Sequence, residues 1–96
     1  MSDVSDVVDN TAGERFELTI DGHLAELVYH VHGTRLTLIH TEVPDELGGR
    51  GIGGILVQAA LDRARRDHLT IVPTCPFARS WLEKHPDAAS DVTIDW

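Results

Sequence analysis

Apolar and polar side chains alternate with a period of two over residues 15–43, a pattern typical of β-strands with one buried face. In the first of these strands Phe16, Leu18 and Ile20 share a face. Asp21-Gly22 follows, and this dipeptide favours a tight hairpin because both of its residues can adopt a positive φ. A second strand then carries an apolar face, formed by Ala25, Leu27, Tyr29 and Val31.

A turn at His32-Gly33 leads into a third predicted strand, which runs from Arg35 to about Val43. Its alternation divides the side chains between two faces. One face holds Leu36, Leu38, His40 and Glu42, and the other holds Thr37, Ile39, Thr41 and Val43. The three strands together predict an antiparallel meander.

The apolar spacing changes to that of a helix over residues 51–67. A short apolar run over residues 69–72 predicts a strand parallel to the third strand, since a helix makes the crossover between them. Pro76 is suited to the first position of a second helix, which makes Cys75 its expected N-cap and Pro86 its end. The apolar positions of the first helix are Ile52, Ile55, Leu56, Ala59 and Ala60.

These elements predict the α/β (α+β) fold class, with an antiparallel β-meander continued by one parallel strand and with two helices. Val92 and Ile94 are expected to add a short final strand. Residues 1–13 show no sustained periodicity and predict a loosely ordered acidic tail. Residues 14–96 are then the folded domain.

A chain of 96 residues has room for one hydrophobic core. Its 8 basic and 16 acidic residues give a formal charge of −8, which disfavours nucleic acid and anionic membrane surfaces as partners. No apolar stretch approaches the roughly 18 residues that a membrane span needs. The single cysteine, Cys75, excludes an internal disulfide and favours a reducing compartment. We therefore expect a small cytoplasmic protein that is a monomer or a weak homodimer.

Most of the acidity lies at the two ends of the chain. Residues 1–14 hold four acids and residues 87–96 hold three, and neither segment holds a base. Residues 15–86 carry nine acids against eight bases. The predicted core is almost neutral, which leaves room for a phosphorylated ligand.

The most informative segment is a glycine-rich loop between the third strand and the first helix. Five of the seven residues 48–54 are glycines, which allow backbone N–H groups to converge. The helix start adds unpaired N–H donors, so the loop predicts an anion site with Arg50 as a direct counter-ion. A flexible connection is the alternative. Neither a Walker loop nor a Rossmann fingerprint fits, because Ile55-Leu56 stand where Lys-Ser/Thr would and the preceding strands are antiparallel.

This loop resembles the acetyl-CoA signature of the GNAT superfamily of N-acetyltransferases, Arg/Gln-x-x-Gly-x-Gly/Ala. The signature aligns on Gly48-Gly49-Arg50-Gly51-Ile52-Gly53. The segments His40-Thr41-Glu42-Val43-Pro44 and Pro73-Thr74-Cys75-Pro76-Phe77, followed by His85-Pro86, are similar to those of a minimal single-domain GNAT-like subfamily. The resemblance covers about residues 15–87.

The resemblance implies a site for acetyl-CoA. The backbone amides from Arg50 to Gly54 would hold the pyrophosphate, and the strand edge from Thr41 to Val43 would bind the pantetheine. The acetyl thioester would lie near Cys75, between the separating ends of the third and fourth strands. The residues predicted to bind the cofactor are Thr41, Val43, Gly48, Gly49, Arg50, Gly51, Ile52, Gly53 and Gly54.

Two positions depart from the family pattern. Gly48 stands where the superfamily usually has Arg or Gln, so one phosphate contact is missing, and Arg50 is expected to replace it in part. Trp81 stands where a Tyr often serves related enzymes as general acid. An indole cannot donate a catalytic proton, so the sequence does not identify a general acid in this chain.

Acetyl transfer to an amine needs a base, an acid for the departing thiolate and donors for the oxyanion. Glu42, at the end of the third strand beside His40, is the first candidate base, with a solvent-facing edge residue as the alternative. His40 is either catalytic or a partly buried structural histidine. Cys75 is the only thiol. An N-cap position makes a thiol more reactive, so a transient acetyl-cysteine is one interpretation and an inert core cysteine is the other.

The remaining candidate ligands have simpler interpretations. His30 and His32 have a spacing that could hold zinc, but no cluster of Cys or carboxylates completes the site, and we predict no metal. Arg63, Arg65 and Arg66 could bind the 3′-phosphate of CoA, with a solvated helix face as the alternative.

The sequence therefore predicts an acetyl-CoA-dependent N-acetyltransferase that acts on an unidentified amine of a small molecule or a protein. The elements that usually form an acceptor pocket in this family are largely absent from so short a chain. That shortness favours the alternative, a non-catalytic module that binds or senses acyl-CoA. A plain interaction module would leave the glycine loop unexplained.

Overall fold

The computed structural model describes residues 4–96, which form one five-stranded sheet and two α-helices. The strands are β1 (Val8–Asn10), β2 (Arg15–Ile20), β3 (His23–His32), β4 (Arg35–Glu42) and β5 (Thr70–Pro73). The helices are α1 (Ile52–Asp67) and α2 (Pro76–Lys84). Short 3-10 turns lie at Val4–Asp6, Asp45–Leu47 and Pro86–Ala89.

The order of the strands in the sheet follows the chain, from β1 to β5. The first four strands pair antiparallel, and β5 pairs parallel with β4 after the crossover through α1. The hairpin between β2 and β3 turns at Asp21 and Gly22, whose φ angles are 52° and 79°. The predicted fold class, a meander continued by a parallel strand and accompanied by two helices, is confirmed.

A single hydrophobic core lies between one face of the sheet and the two helices. Helix α2 begins at Pro76 with Cys75 as its N-cap, as predicted, although the Cys75 side chain makes no capping hydrogen bond. Neither described helix is long and apolar enough to cross a membrane. The buried side chains of the sheet are Phe16, Leu18, Ala25, Leu27, Tyr29, Leu36, Leu38, Ile71 and Pro73.

Strand β1 corrects the prediction of a loosely ordered tail, because residues 8–10 pair antiparallel with β2. Residues 1–3 of the predicted tail lie outside the described residues. The Asp9 carboxylate anchors β1: it accepts hydrogen bonds from the Tyr29 hydroxyl and, at 2.9 Å, from Arg63 Nη1. These partners are 20 and 54 residues away along the chain, so no local pattern could indicate them. The meander therefore has four strands instead of three.

An irregularity in β4 changes the faces that its side chains occupy. Tyr29 lies opposite Leu38, but the next residue back, Val28, lies opposite His40. Ile39 is therefore an extra residue on β4, a β-bulge that locally increases the twist of the strand.

The bulge makes the predicted face of His40 and Glu42 wrong. Thr41 lies opposite Leu27, whose side chain is fully buried, so Thr41 faces the core side of the sheet. His40 and Glu42 face the other side, where their side chains are 61% and 65% exposed. A strict alternation from Leu38 would have placed them beside the core, and the one inserted residue reverses that.

The predicted final strand is reduced to a single bridge. Ile94 pairs in parallel with Ile71 of β5, and no element extends around it within the described part of the chain. Helix α2 ends before Pro86, as predicted, and His85 is its C-cap.

Candidate functional site

The end of β4, the loop before α1 and the first part of α2 enclose an open cleft of about 490 Å³. The residues that line it are Thr41, Val43, Pro44, Asp45, Leu47, Gly48, Gly49, Gly51, Ile52, Gly53, Gly54, Phe77 and Trp81. Every residue predicted to bind the cofactor is among them except Arg50. The fold thus brings the glycine loop and the end of β4 to one place.

The start of α1 offers backbone N–H groups to this cleft. The first bond of the helical ladder runs from the Ile55 N–H to the Gly51 carbonyl at 3.2 Å. The amides of Ile52, Gly53 and Gly54 precede it and have no acceptor within the helix. No side-chain cap is found at this end among the described residues. These donors and the positive end of the helix dipole suit an anion.

The glycines of the loop are required for two different reasons. Gly49 and Gly51 have φ angles of 77° and 70°, in the left-handed region that a side chain would strain. Gly53 and Gly54 are helical, and an added Cβ would lie 2.5 Å from the Phe77 ring and 2.5 Å from Trp81 Nε1, respectively. The sequence indicated that these glycines let backbone N–H groups converge, and the structure adds that Gly53 and Gly54 also leave space for the two aromatic rings of α2.

The two rings form the wall of the cleft opposite β4. Trp81 is held on its other side by His85, whose ring stacks on the indole at a centroid distance of 4.1 Å. His85 Nδ1 also lies 2.8 Å from the Trp81 carbonyl oxygen. Phe77 remains 44% exposed. The wall therefore combines a fixed indole with an accessible phenyl ring.

Strands β4 and β5 separate beside the cleft, where their last pair joins Leu38 to Pro73. The Leu38 carbonyl accepts hydrogen bonds from Thr74 Oγ1 at 2.7 Å and from the Cys75 N–H at 2.9 Å. Cys75 is 2% exposed, and its Sγ lies 3.2 Å from Thr41 Oγ1. The thiol thus lies one side chain behind the cleft, in contact with Thr41 at the wall.

His40 and Glu42 flank this gap from the other face of the sheet. His40 Nε2 and Glu42 Oε2 are 2.8 Å apart, so the two side chains form a hydrogen-bonded pair. Neither of them lines the cleft. The structure pairs the two candidate catalytic residues with each other and keeps both apart from Cys75.

The Arg50 side chain does not line the cleft. Its Nη1 lies 3.6 Å from Asp21 Oδ2 in the hairpin between β2 and β3. The structure therefore does not support Arg50 as a direct counter-ion, and only its backbone amide remains a candidate for binding phosphate.

The three arginines of α1 lie far from the cleft. Arg63, the first of them, is about 18 Å along the helix axis from Gly51. Hydrogen bonds from Arg65 hold the pKa of the Asp91 carboxyl below its usual value. The carboxylate partners at 2.9–3.2 Å are Asp9 and Asp67 for Arg63, Asp62 and Asp91 for Arg65, and Asp67 for Arg66.

Comparison with known proteins agrees with this arrangement of loop, helix and strand. A family model described as GCN5-related N-acetyl-transferase matches residues 15–92. This chain belongs to the GCN5-related N-acetyltransferase family. The resemblance noted in the sequence is confirmed.

Solved and curated relatives of this family member agree with the match. A GCN5-like protein from Staphylococcus aureus, known from an NMR solution structure, has a TM-score of 0.73 and 33% identity over 100% of this chain and 93% of its own. Protein NATD1 of Homo sapiens and of Mus musculus is 40% identical over 63 residues, which are 65% of this chain. The match spans 56% and 57% of those two proteins, a little over half of their length.

Members of the GCN5-related N-acetyltransferase family generally use acetyl-CoA. The amides at the start of α1 suit a pyrophosphate, and the space beside Gly49 and Gly51 is open. No three His, Cys, Asp or Glu side chains group as metal ligands within residues 4–96.

Sequence reasoning missed Phe77 as a residue of the site in this family member. The usable signal is the pair Gly53-Gly54 on one helix together with aromatic residues four positions apart, Phe77 and Trp81, on the next. Small residues on one helix and large rings on another are complementary when the helices cross closely. The contact between Thr41 and Cys75 had no such signal, because it depends on the bulge at Ile39.

Proposed function

We propose that this chain binds acetyl-CoA in the cleft and transfers the acetyl group to an amine. The observation that carries the proposal is the meeting of two features at one cleft, the free amides at the start of α1 and the edge of β4 where it leaves β5. The amides of residues 50–54 bind the pyrophosphate, and residues 41–43 bind the pantetheine. Phe77 and Trp81 pack against the arm from the other side.

Of the groups that this chemistry needs, the protein supplies the base through a side chain. When bound, acetyl-CoA supplies a thioester whose C–S bond breaks as the C–N bond to the amine forms, and the leaving thiolate takes up a proton from the solvent that reaches the open cleft. Glu42 accepts the amine proton from the outer face of the sheet, at the gap between β4 and β5. His40, 2.8 Å away, orients the carboxylate and shares the proton.

Cys75 has a different place in this proposal. Its thiol is buried behind Thr41, so an acetyl-cysteine would require the Thr41 side chain to move aside. Direct transfer from the thioester to the amine needs no such movement. We therefore propose direct transfer, with Cys75 packing against the wall of the cleft.

A second candidate function is favoured by a specific observation. The indole of Trp81 occupies the cleft wall and cannot supply a catalytic proton, and the pair His40 and Glu42 lies on the opposite face of the sheet. Both facts suit a module that binds or senses acyl-CoA without turnover. The acceptor amine and a cytoplasmic location remain predictions for either function.

The decisive experiment measures release of free CoA thiol from acetyl-CoA in the presence of a panel of primary amines. We expect release with at least one amine, and Glu42→Gln should lower kcat at least about tenfold because it removes the base. Cys75→Ala should leave kcat within about twofold if transfer is direct. Glu83→Gln, an exposed carboxylate of α2, is the matched control and should have no effect.

Each result separates the candidates. Binding of acetyl-CoA by calorimetry without thiol release for any amine would favour the non-catalytic module. A large loss in Cys75→Ala would replace direct transfer by an acetyl-cysteine. Absence of binding would contradict both functions.

A further inference from the structure

All seven arginines of the chain are engaged by groups of the same molecule. The three in α1 are held by carboxylates at the end of the helix remote from the cleft. The other four have partners in strands, turns and the last residues of the chain. Arg15 binds Glu26, Arg35 binds Asp95, Arg50 lies beside Asp21, and Arg79 donates to the Trp96 carbonyl.

The charged side chains at the cleft are acidic, in contrast to these arginines. Among the lining residues that the structure describes, Asp45 has the one acidic or basic side chain. Glu46 follows it on the same short turn. An anion in the cleft would therefore be bound by backbone amides and repelled by the nearby carboxylates.

The phosphates of CoA differ in what they require from a protein. A pyrophosphate can be bound by several amides at a helix start, because those donors converge on one point. The 3′-phosphate is an additional dianion on the ribose, and proteins that recognise such a group use charge-assisted bonds from Arg or Lys. The arginines that could supply these bonds are engaged elsewhere in this chain.

We infer that the cleft binds the pantetheine arm and the pyrophosphate of its donor and makes no specific contact with the 3′-phosphate. Acetyl-dephospho-CoA is then accepted as well as acetyl-CoA. This inference rests on the proposed function, since it concerns the same cleft and the same thioester. It defines the donor class as acyl-pantetheine thioesters with a pyrophosphate, with or without the phosphate on the ribose.

The inference would be wrong if one of two basic side chains, Arg50 or Lys84, binds the 3′-phosphate. Arg50 belongs to the loop, and its contact with Asp21 joins two exposed side chains that could separate. Lys84 is the last residue of α2, one turn beyond Trp81 on the same helix. If either of them binds the 3′-phosphate, its removal will reduce the preference for the phosphorylated donor.

The test is a calorimetric comparison of acetyl-CoA with acetyl-dephospho-CoA, repeated with Arg50→Gln and Lys84→Gln. We expect the two dissociation constants to agree within about threefold at physiological ionic strength, with an unchanged ratio in both variants. Lowering the salt concentration should strengthen the binding of acetyl-dephospho-CoA relative to that of acetyl-CoA, because the carboxylates near the cleft repel the extra phosphate. Recognition by a cation would shift it the other way.

The outcomes also distinguish this inference from the function on which it rests. A preference for acetyl-CoA greater than about threefold, or a preference lost in either variant, would overturn the inference while leaving donor binding intact. Failure of both thioesters to bind would overturn the proposed function.

Discussion

At the scale of single residues, Tyr29 has the most unusual environment. Its ring is buried in the core, and its hydroxyl donates to Asp9 and accepts a hydrogen bond from Arg63 Nη1 at 2.8 Å. Burial, reinforced by the hydrogen bond to Asp9, raises the pKa of Tyr29 to about 12. One phenol thus connects β1, β3 and α1 through a group that stays neutral in the folded protein.

This pKa predicts how stability depends on pH. The unfolded chain releases the phenolic proton near pH 10.0 and the folded chain near 12, so the free energy of unfolding should fall as pH rises between these values. Below pH 10 the contribution is complete. Tyr29 is the only tyrosine, so phenolate absorbance of the native protein follows it alone.

The control is Tyr29→Phe, which keeps the ring and the ion pair between Asp9 and Arg63. We expect the free energy of unfolding of the variant to be lower by about 1–2 kcal/mol at neutral pH, because the hydrogen bonds of the hydroxyl are missing. Between pH 10 and 12 its free energy of unfolding should depend less on pH than that of the parent. A native phenol that titrates near pH 10, or a variant with the same alkaline slope as the parent, would show that the cluster does not favour the neutral phenol.

At the scale of elements, the bulge at Ile39 determines which groups meet at the cleft. It lies next to the last β4–β5 pair, Leu38 with Pro73, so the added twist falls where the two strands separate. Beyond it Thr41 faces Cys75 and the cleft, and Glu42 faces outward. One inserted residue therefore produces the gap, and beyond it the candidate base and the thiol lie on opposite faces of the sheet.

Deletion of Ile39 should test this role directly. A regular β4 keeps Thr41 on the core side and pairs further with β5, which closes the gap. We expect the free energy of unfolding of the deletion variant to lie within about 1 kcal/mol of that of the parent. Its affinity for acetyl-CoA should be at least about tenfold lower. Ile39→Thr retains the bulge and should bind like the parent. Full affinity after the deletion would mean that the gap is not needed.

Local patterns account for much of the fold. The hairpin at Asp21-Gly22, the helical spacing of α1 and the Pro76 start of α2 each depend on neighbouring residues, and all were predictable. Strand β1 was not, because Asp9 finds its partners 20 and 54 residues away. The bulge escaped for a similar reason, since its position is set by pairing across strands and not by the alternation within β4.

The candidate site shows the same division. The loop residues 48–54 were predicted from their glycine content, and Thr41 and Val43 were predicted from the resemblance to the family. The face of His40 and Glu42 was predicted wrongly, and the packing of Phe77 and Trp81 against Gly53 and Gly54 was not predicted. Both depend on contacts between elements that no single segment displays.

At the scale of the whole molecule, the acidic ends of the chain act as internal counter-ions. Asp9 binds Arg63, Asp91 binds Arg65 and Asp95 binds Arg35. Each pair joins a terminal segment to the central sheet or to α1. The near-neutral middle of the sequence is therefore not a reserve of free arginines for phosphate, and the cleft depends on backbone amides for its attraction to anions.

Mapping of amide chemical shifts during titration with acetyl-CoA would locate the donor on the molecule. We predict saturable shifts that are largest at residues 49–54 and 41–43, with smaller shifts at Phe77 and Trp81 and none at the arginines of α1. Saturable shifts centred on the second half of α1, or no shifts at all, would contradict a donor site at the start of that helix.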